Sequence, residues 1–277
     1  MSGIMRYFVL LGLGCLGICL PPAFGGQKAA DPGLAAAVAD PGRTPEFRAR
    51  DRYRHPLQTL RFFGIRPDMT VVEIWPGRGW YSEILAPYLK DKGHLYAAVP
   101  QAGGEIANAE VRADFEAFSR KFTGDAAHYG SVTITQFKPP EHVQICPPGS
   151  ADLVLTFRNV HNWIAAGYEQ DAFKAFYAAL KPGGVLGVVE HRARPYTTLE
   201  QTRNSGYVNE AYIKALAANA GFRFAGASPV NDNPKDTKDY PEGVWTLPPT
   251  LTLGGKDKAK YLAIGESDRM TLKFVKP

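Results

Sequence analysis

The sequence predicts an α/β protein: a doubly wound, mostly parallel sheet of seven strands with helices on both faces. Three observations carry that expectation. Short β-branched apolar runs alternate with segments whose apolar residues recur at helical spacing. A glycine-containing turn follows the first run and opens a helix. Glycine and Pro-Gly punctuation closes the helical units. At 277 residues, 45% hydrophobic and 21% charged, the chain can bury a sizeable core, which excludes wholesale disorder and fibrous architecture.

The elements are expected in this order. Leu57, Leu60 and Phe63 recur at three-residue spacing, with Pro56 in the first turn and Gly64 at the end of a short helix. Val71–Trp75 is a strand stopped by Pro76-Gly77, and Trp80, Ile84, Leu85 and Tyr88 then share one helical face. Leu95–Val99 is the second strand, Val111–Phe122 a helix and Val132–Phe137 the third strand. Asp152–Phe157 reads as a buried fourth strand, and Phe173, Phe176, Tyr177 and Leu180 form a helical stripe ended by Lys181-Pro182-Gly183-Gly184. Val185–Glu190 is the fifth strand, Tyr207–Ala220 a helix closed by Gly221, and Phe222–Ala227 and Met270–Val275 the last two strands. Residues 231–268 break the alternation. Pro234, Pro241, Pro248 and Pro249 fall there with Tyr240 and Trp245, as expected of a lid or of a loop covering one flank of the sheet.

The N-terminus reads as an address. Arg6, the apolar run Tyr7–Leu20, Pro21-Pro22 and the small residues Ala23, Gly25 and Gly26 predict a secretory signal peptide over residues 1–25 and hence a periplasmic protein, with an uncleaved anchor as the alternative. The membrane is then met only through this segment before cleavage. Gly12-Leu13-Gly14-Cys15-Leu16-Gly17 matches a dinucleotide-loop pattern, but inside this apolar run it has no strand before it and is discounted. Of the three cysteines only Cys146 would remain after cleavage, so no internal disulfide is expected. Residues 26–46 read as a flexible leader and 47–277 as the folded domain. Arg48, Arg50, Arg52 and Arg54 at its start are either a solvated approach to the first helix or a basic flap over an anionic ligand.

A net charge of +5 is modest and dispersed, without a basic stripe interleaved with aromatics, so no nucleic-acid partner is expected. The six histidines show no metal-ligand spacing, and no metal is expected. Serine-hydrolase, phosphate-loop and zinc-protease motifs are absent beyond residue 25. In open α/β sheets ligands bind at the carboxyl ends of the strands, near the point where strand order reverses. Glu73-Ile74-Trp75-Pro76-Gly77-Arg78-Gly79 stands at such an end, with an acid to accept hydrogen bonds and a turn that lets backbone N–H groups approach a ligand. Arg158-Asn159-Val160-His161-Asn162-Trp163 follows strand four, and Glu190-His191-Arg192 follows strand five. His161 is the candidate general base, with Asn159 and Glu190 as further catalytic candidates and Tyr207 as a candidate wall residue.

These segments resemble the class I S-adenosylmethionine-dependent methyltransferases. Glu73, Gly77 and Gly79 match the acid and the last two glycines of that family's first motif, and Lys181-Pro182-Gly183-Gly184 is similar to the turn before its fifth strand. More closely, Glu73–Leu89, Arg158–Trp163 and the ending Gly265–Pro277 resemble a group of exported bacterial methyltransferases. The resemblance implies a Rossmann-like sheet with an antiparallel last strand, and S-adenosyl-L-methionine bound at Glu73, Gly77, Gly79 and Gln101. It also implies methyl transfer to a small-molecule or lipid-like acceptor. Two positions depart from the pattern: Trp75 replaces the first glycine, and Val99-Pro100-Gln101 stands where an acid usually ends strand two. A non-catalytic periplasmic binding protein on the same scaffold is the alternative.

Overall fold

The computed structural model describes residues 1, 31–101 and 109–277. The expected signal peptide lies outside the described residues. Chain order is α1 (Pro32–Ala39), α2 (Pro45–Arg48), α3 (Asp51–Arg54), α4 (Pro56–Phe63), β1 (Thr70–Ile74), α5 (Ser82–Leu89), β2 (His94–Val99), α6 (Ala109–Gly124), α7 (Ala126–Tyr129) and β3 (Val132–Gln136). Then follow β4 (Ala151–Phe157), α8 (Val160–Ala166), α9 (Glu169–Ala179), β5 (Leu180–His191), α10 (Leu199–Ser205), α11 (Glu210–Asn219), β6 (Arg223–Ser228), α12 (Lys258–Ile264) and β7 (Arg269–Val275). The seven strands form one sheet in the order β3-β2-β1-β4-β5-β7-β6. The pairs from β3 through β5 are parallel, and β7 runs antiparallel between β5 and β6. The expected α/β architecture with a reversed last strand is therefore present.

Residue parity decides which face each strand residue covers. Val72, Ile74, Val154, Leu186 and Val188 pack with Trp163, Phe173, Phe176 and Ile213 on one face. Val71, Leu95, Leu153 and Leu155 pack with Leu60, Phe63, Ile84, Leu85, Phe118 and Phe122 on the other. Glu73 has the parity of Val71, so its carboxyl turns toward α5, where Ser82 Oγ donates to it at 2.6 Å. Helix α4 occupies the predicted span, and Gly64 closes it at φ 82° with its N–H on the carbonyls of Leu60 and Arg61.

Several expectations need correction. The leader expected over 26–46 is ordered from Pro32 on: α1 buries Leu34 and Ala37, Arg43 pairs with Asp51 at 2.7 Å, and Thr44 donates to Glu83. The Lys181–Gly184 segment does not separate α9 from β5 but opens β5 itself, with Gly183 donating to the carbonyl of Lys276 and Lys276 to that of Gly184. The helix expected over 207–220 is α11, which starts only at Glu210, because Tyr207 and Val208 are not helical and Val208 donates to His191; the helix before it, α10, was not expected. Residues 231–268 hold a 3-10 turn over Gly243–Thr246 and the helix α12. Among the described residues no helix is long and apolar enough to cross a membrane.

Candidate functional site

Strand order reverses between β1 and β4, and the residues just past their ends line a cavity of about 480 Å³. Each strand continues its ladder by one residue: Trp75 N donates to Ala98 at 2.8 Å and Arg158 N to Val189 at 2.7 Å. The chain then turns left-handed at both residues, with φ 47° at Trp75 and 62° at Arg158. These are unusual conformations for bulky side chains, each costing of order 1–3 kcal/mol. Asn159 joins the two turns by donating from Nδ2 to the carbonyl of Ile74 at 2.9 Å.

The first turn keeps a glycine-like path although its first residue is tryptophan. The indole of Trp75 is tied by its N–H to the carbonyl of Phe137 at 2.9 Å and stands edge-on to Trp163. Gly77 has φ 57°, and a Cβ there would meet nothing within 4 Å, so its backbone faces open space in the cavity. Gly79 plays another part. A Cβ there would come within 2.7 Å of Phe122 Cζ and closer still to Cε2, so this glycine admits α6 against the turn and does not border the cavity. Glu73 lines the cavity with only 2% of its surface exposed, and burial pushes its carboxyl up to about 7 against the opposing bond from Ser82. Trp75, Gly77 and Asn159 also border a second hollow of about 210 Å³, in which Gln101 sits with Asp114, Phe115 and Phe118.

His161 is at the first turn of α8, 7% exposed, and lines the larger cavity. Its Nδ1 lies 3.1 Å from Glu190 Oε1. Glu190 is wholly buried, and it accepts the backbone N–H groups of Val160 and His161 on Oε2 and that of His191 on Oε1. It thus holds the start of α8 and orients the His161 ring without bordering the cavity. The expectation that Glu190 faces the cleft as a catalytic group is corrected: it is a positioning residue. Asn159 borders the cavity, yet its amide is committed to the backbone of the β1 turn. Tyr207 does not line the cavity; it donates to Asp236 at 2.9 Å and fastens the long loop.

The segment Glu190-His191-Arg192 was expected at this edge without a separate role for His191, and His191 lines the cavity. Its ring centroid is 5.3 Å from that of His161, and its Nδ1 lies 2.5 Å from Ser267 Oγ. Burial pushes the imidazole well below its ordinary pKa, and His161, Arg158, Arg269 and Arg54 add to the shift. His161, Glu190 and His191 place potential ligand atoms within 4.8 Å of one another. The oxygens of Glu190 are already engaged, however, and arginines on the cavity wall repel a cation. The arrangement is therefore better suited to proton handling than to a metal centre.

The remaining wall comes from segments far apart in the chain. Arg50 and Arg54 enter from the N-terminal segment, and Glu266 and Ser267 from the approach to β7. Val244, Trp245, Pro248, Pro249 and Thr250 of the long loop close the cavity, so the lid alternative describes this loop better than a flank cover. Of the four alternating arginines, Arg50 and Arg54 face the cavity, as the flap alternative requires.

No protein-family model matches the chain, and no curated protein matches its sequence. Solved structures do match. A SAM-dependent methyltransferase from Aquifex aeolicus superposes with a TM-score of 0.53 at 16% identity, covering 89% of this chain and 99% of that one. The fold is that of the class I S-adenosylmethionine-dependent methyltransferases. Phosphoethanolamine N-methyltransferase 2 of Haemonchus contortus, in complex with S-adenosyl-L-methionine, matches with a TM-score of 0.52 at 18% identity, over 81% of this chain and 53% of that one. The cyclase SpnF matches with a TM-score of 0.54 at 14% identity, over 88% and 91%. The methyltransferase fold thus carries more than one named activity, and function has to be argued from the site.

Proposed function

We propose that the protein is an S-adenosylmethionine-dependent methyltransferase acting on a small-molecule or lipid-like acceptor. The observation that carries this reading is the shared wall of Trp75, Gly77 and Asn159. It joins a hollow containing Gln101 to a cavity containing Glu73 and His161 over the β1–β4 edge. The residues fit such a cofactor. Gly77 leaves its backbone open to a ligand, Glu73 offers a buried carboxyl to its polar end, and Gln101 offers an amide to a hydroxyl. When bound, S-adenosylmethionine supplies a methyl group already activated on a sulfonium, so the protein has mainly to position the acceptor and take up its proton. His161 does the latter through Nε2. As its ring gains a proton, the Glu190 carboxyl at Nδ1 stabilises the charge and holds the ring in place. Trp245, whose ring centroid is 6.0 Å from that of His161, helps exclude water.

Calorimetry with S-adenosylmethionine and S-adenosylhomocysteine tests the reading directly. Absence of binding by either would overturn it and leave the binding-protein alternative. If binding holds, His161→Ala should lower turnover by about 10²–10⁴-fold while cofactor affinity barely changes. A lower melting temperature with normal specific activity would defeat the catalytic assignment.

Export to the periplasm belongs to the same proposal. Its support is Arg6, the apolar run to Leu20 and the small residues after it, together with the resemblance of Glu73–Leu89 and Arg158–Trp163 to exported bacterial methyltransferases. Mass spectrometry on protein from native cells should find an N-terminus near Gly25–Gln27. An intact Met1 on cytoplasmic protein would refute export.

A further inference from the structure

The cavity carries more positive charge than methyl transfer by itself requires. Arg50, Arg54 and Arg158 line it against Glu73 and Glu266, an excess of one formal positive charge (three less two) even with both carboxyls ionised, while the exposed Arg78 at its rim pairs with Asp114. Glu266 is the hub. It accepts from Arg50 at 2.6 Å, from Arg54 at 3.1 Å and from Arg269 at 2.9 Å. Burial disfavours its charge, and Arg54, Arg269, Arg50 and Arg158 outweigh that, holding it well below the usual carboxylate range. One carboxylate does not satisfy so many guanidinium donors. Arg54 is 2% exposed, and its Nη2, like that of Arg50, is buried without a partner. A buried donor on a charged group is costly to leave unmatched, so such atoms call for an acceptor. Arg158 projects into the same space from a left-handed turn, and burial pushes its guanidinium down to about 10.

The cofactor of the proposed reaction does not relieve this excess. Its sulfonium and ammonium outnumber its carboxylate, so it enters with a net positive charge of its own. Electroneutrality in a cavity of this depth then calls for an anion from the other reactant. We propose that the acceptor is an anion whose carboxylate or phosphate group docks on Arg50, Arg54 and Arg158, presenting its nucleophilic atom to His161. The word acceptor rests on the methyltransferase reading; the oxyanion site does not. Arginine suits the task, because its planar fork meets two oxygens at once.

The test is calorimetric and needs no turnover. Inorganic phosphate and acetate are titrated at fixed ionic strength into the full chain, alone and saturated with S-adenosylhomocysteine. At least one should bind the free protein and still bind the saturated protein. The tighter of the two identifies the acid class, and either outcome supports the site. Arg158→Gln, and independently the more exposed Arg50→Gln, should weaken that binding about tenfold or more, the loss expected for one charged hydrogen bond. Affinity for S-adenosylhomocysteine should hold, and melting temperatures should confirm that both variants fold. Failure of both anions to bind the parent would overturn the proposal. So would strict competition between the anion and S-adenosylhomocysteine, or an equal loss of both ligands in Arg158→Gln, since the arginines would then serve the cofactor's own carboxylate. Anion binding that depends on Arg158, in a protein that never binds S-adenosylhomocysteine, would sustain the oxyanion site while refuting the methyltransferase reading.

Discussion

Replacing Glu73 with glutamine should change how stability depends on pH, by an amount the structure sets. The carboxyl lies beneath the β1 turn, 2% exposed, with Ser82 Oγ donating at 2.6 Å. Burial lifts its pKa from 4.5 to about 7, so the folded protein keeps a proton that the unfolded chain releases. For a raised carboxyl the contribution to stability is full below 4.5 and is lost as pH climbs through about 7. The shift of 2.5 units (7 less 4.5), at about 1.36 kcal/mol each, corresponds to a loss of about 3 kcal/mol. The amide introduced by Glu73→Gln would not titrate, and its oxygen can still accept from Ser82. The stability of E73Q relative to the parent should therefore rise by about 2–3 kcal/mol between about pH 5 and pH 8, read by urea unfolding at intervals of one unit. In melting temperature this is roughly 5–10 °C for a domain of this size. A difference that stays flat with pH would refute the burial argument, because every other titrating group is common to both proteins.

Three further outcomes follow from the same geometry. Gly79→Val should lower the melting temperature sharply, because its Cβ would run into the Phe122 ring and its backbone is left-handed. Gly77→Val meets no neighbour and should cost only the strain of a β-branched residue at φ 57°, with loss of S-adenosylhomocysteine binding, as melting and calorimetry together would show. Tyr207→Phe removes the donor to Asp236 and should cost about 1–3 kcal/mol, with faster limited proteolysis within residues 236–257. Glu190→Gln should lower turnover while leaving KM for the cofactor close to that of the parent, because the residue acts through the orientation of His161; loss of cofactor affinity instead would mean that α8 has moved.

The sheet was legible because its strands are apolar runs buried on both faces and its helices carry stripes at helical spacing. The short elements were not. Helix α1 is Ala-rich but bounded by Pro and Gly, and α10 has one buried residue, so neither presents a periodic stripe. The site divides in the same way. Gly77, Asn159 and His161 follow strands directly, and topology alone brings such residues to one edge. His191 was placed at this edge by the same logic, since Phe157 of β4 aligns with Val189 of β5 and the residues beyond must converge. The Arg54–Glu266 pair was beyond reach: 212 positions separate its partners, and no local pattern marks the pairing.

The two left-handed residues tie these parts together. Trp75 and Arg158 occupy equivalent places, one step past parallel neighbours, and each adopts a backbone that glycine would take without strain. Together they cost of order 2–6 kcal/mol, a large share of the stability of an ordinary domain. What the strain accomplishes differs. At Trp75 it lets an indole pack against Trp163 while the backbone still runs as a ligand-binding turn. At Arg158 it aims a guanidinium into the cavity beside Arg54 and Glu266. Asn159 bridges the pair, so loss of its amide should loosen both turns at once. Asn159→Ala should therefore weaken S-adenosylhomocysteine and phosphate together, each by about tenfold for one buried hydrogen bond lost. Arg158→Gln, in contrast, should affect phosphate alone. If Asn159→Ala weakened only one ligand, the two turns would be independent, and the coupling argued from that single hydrogen bond would fail.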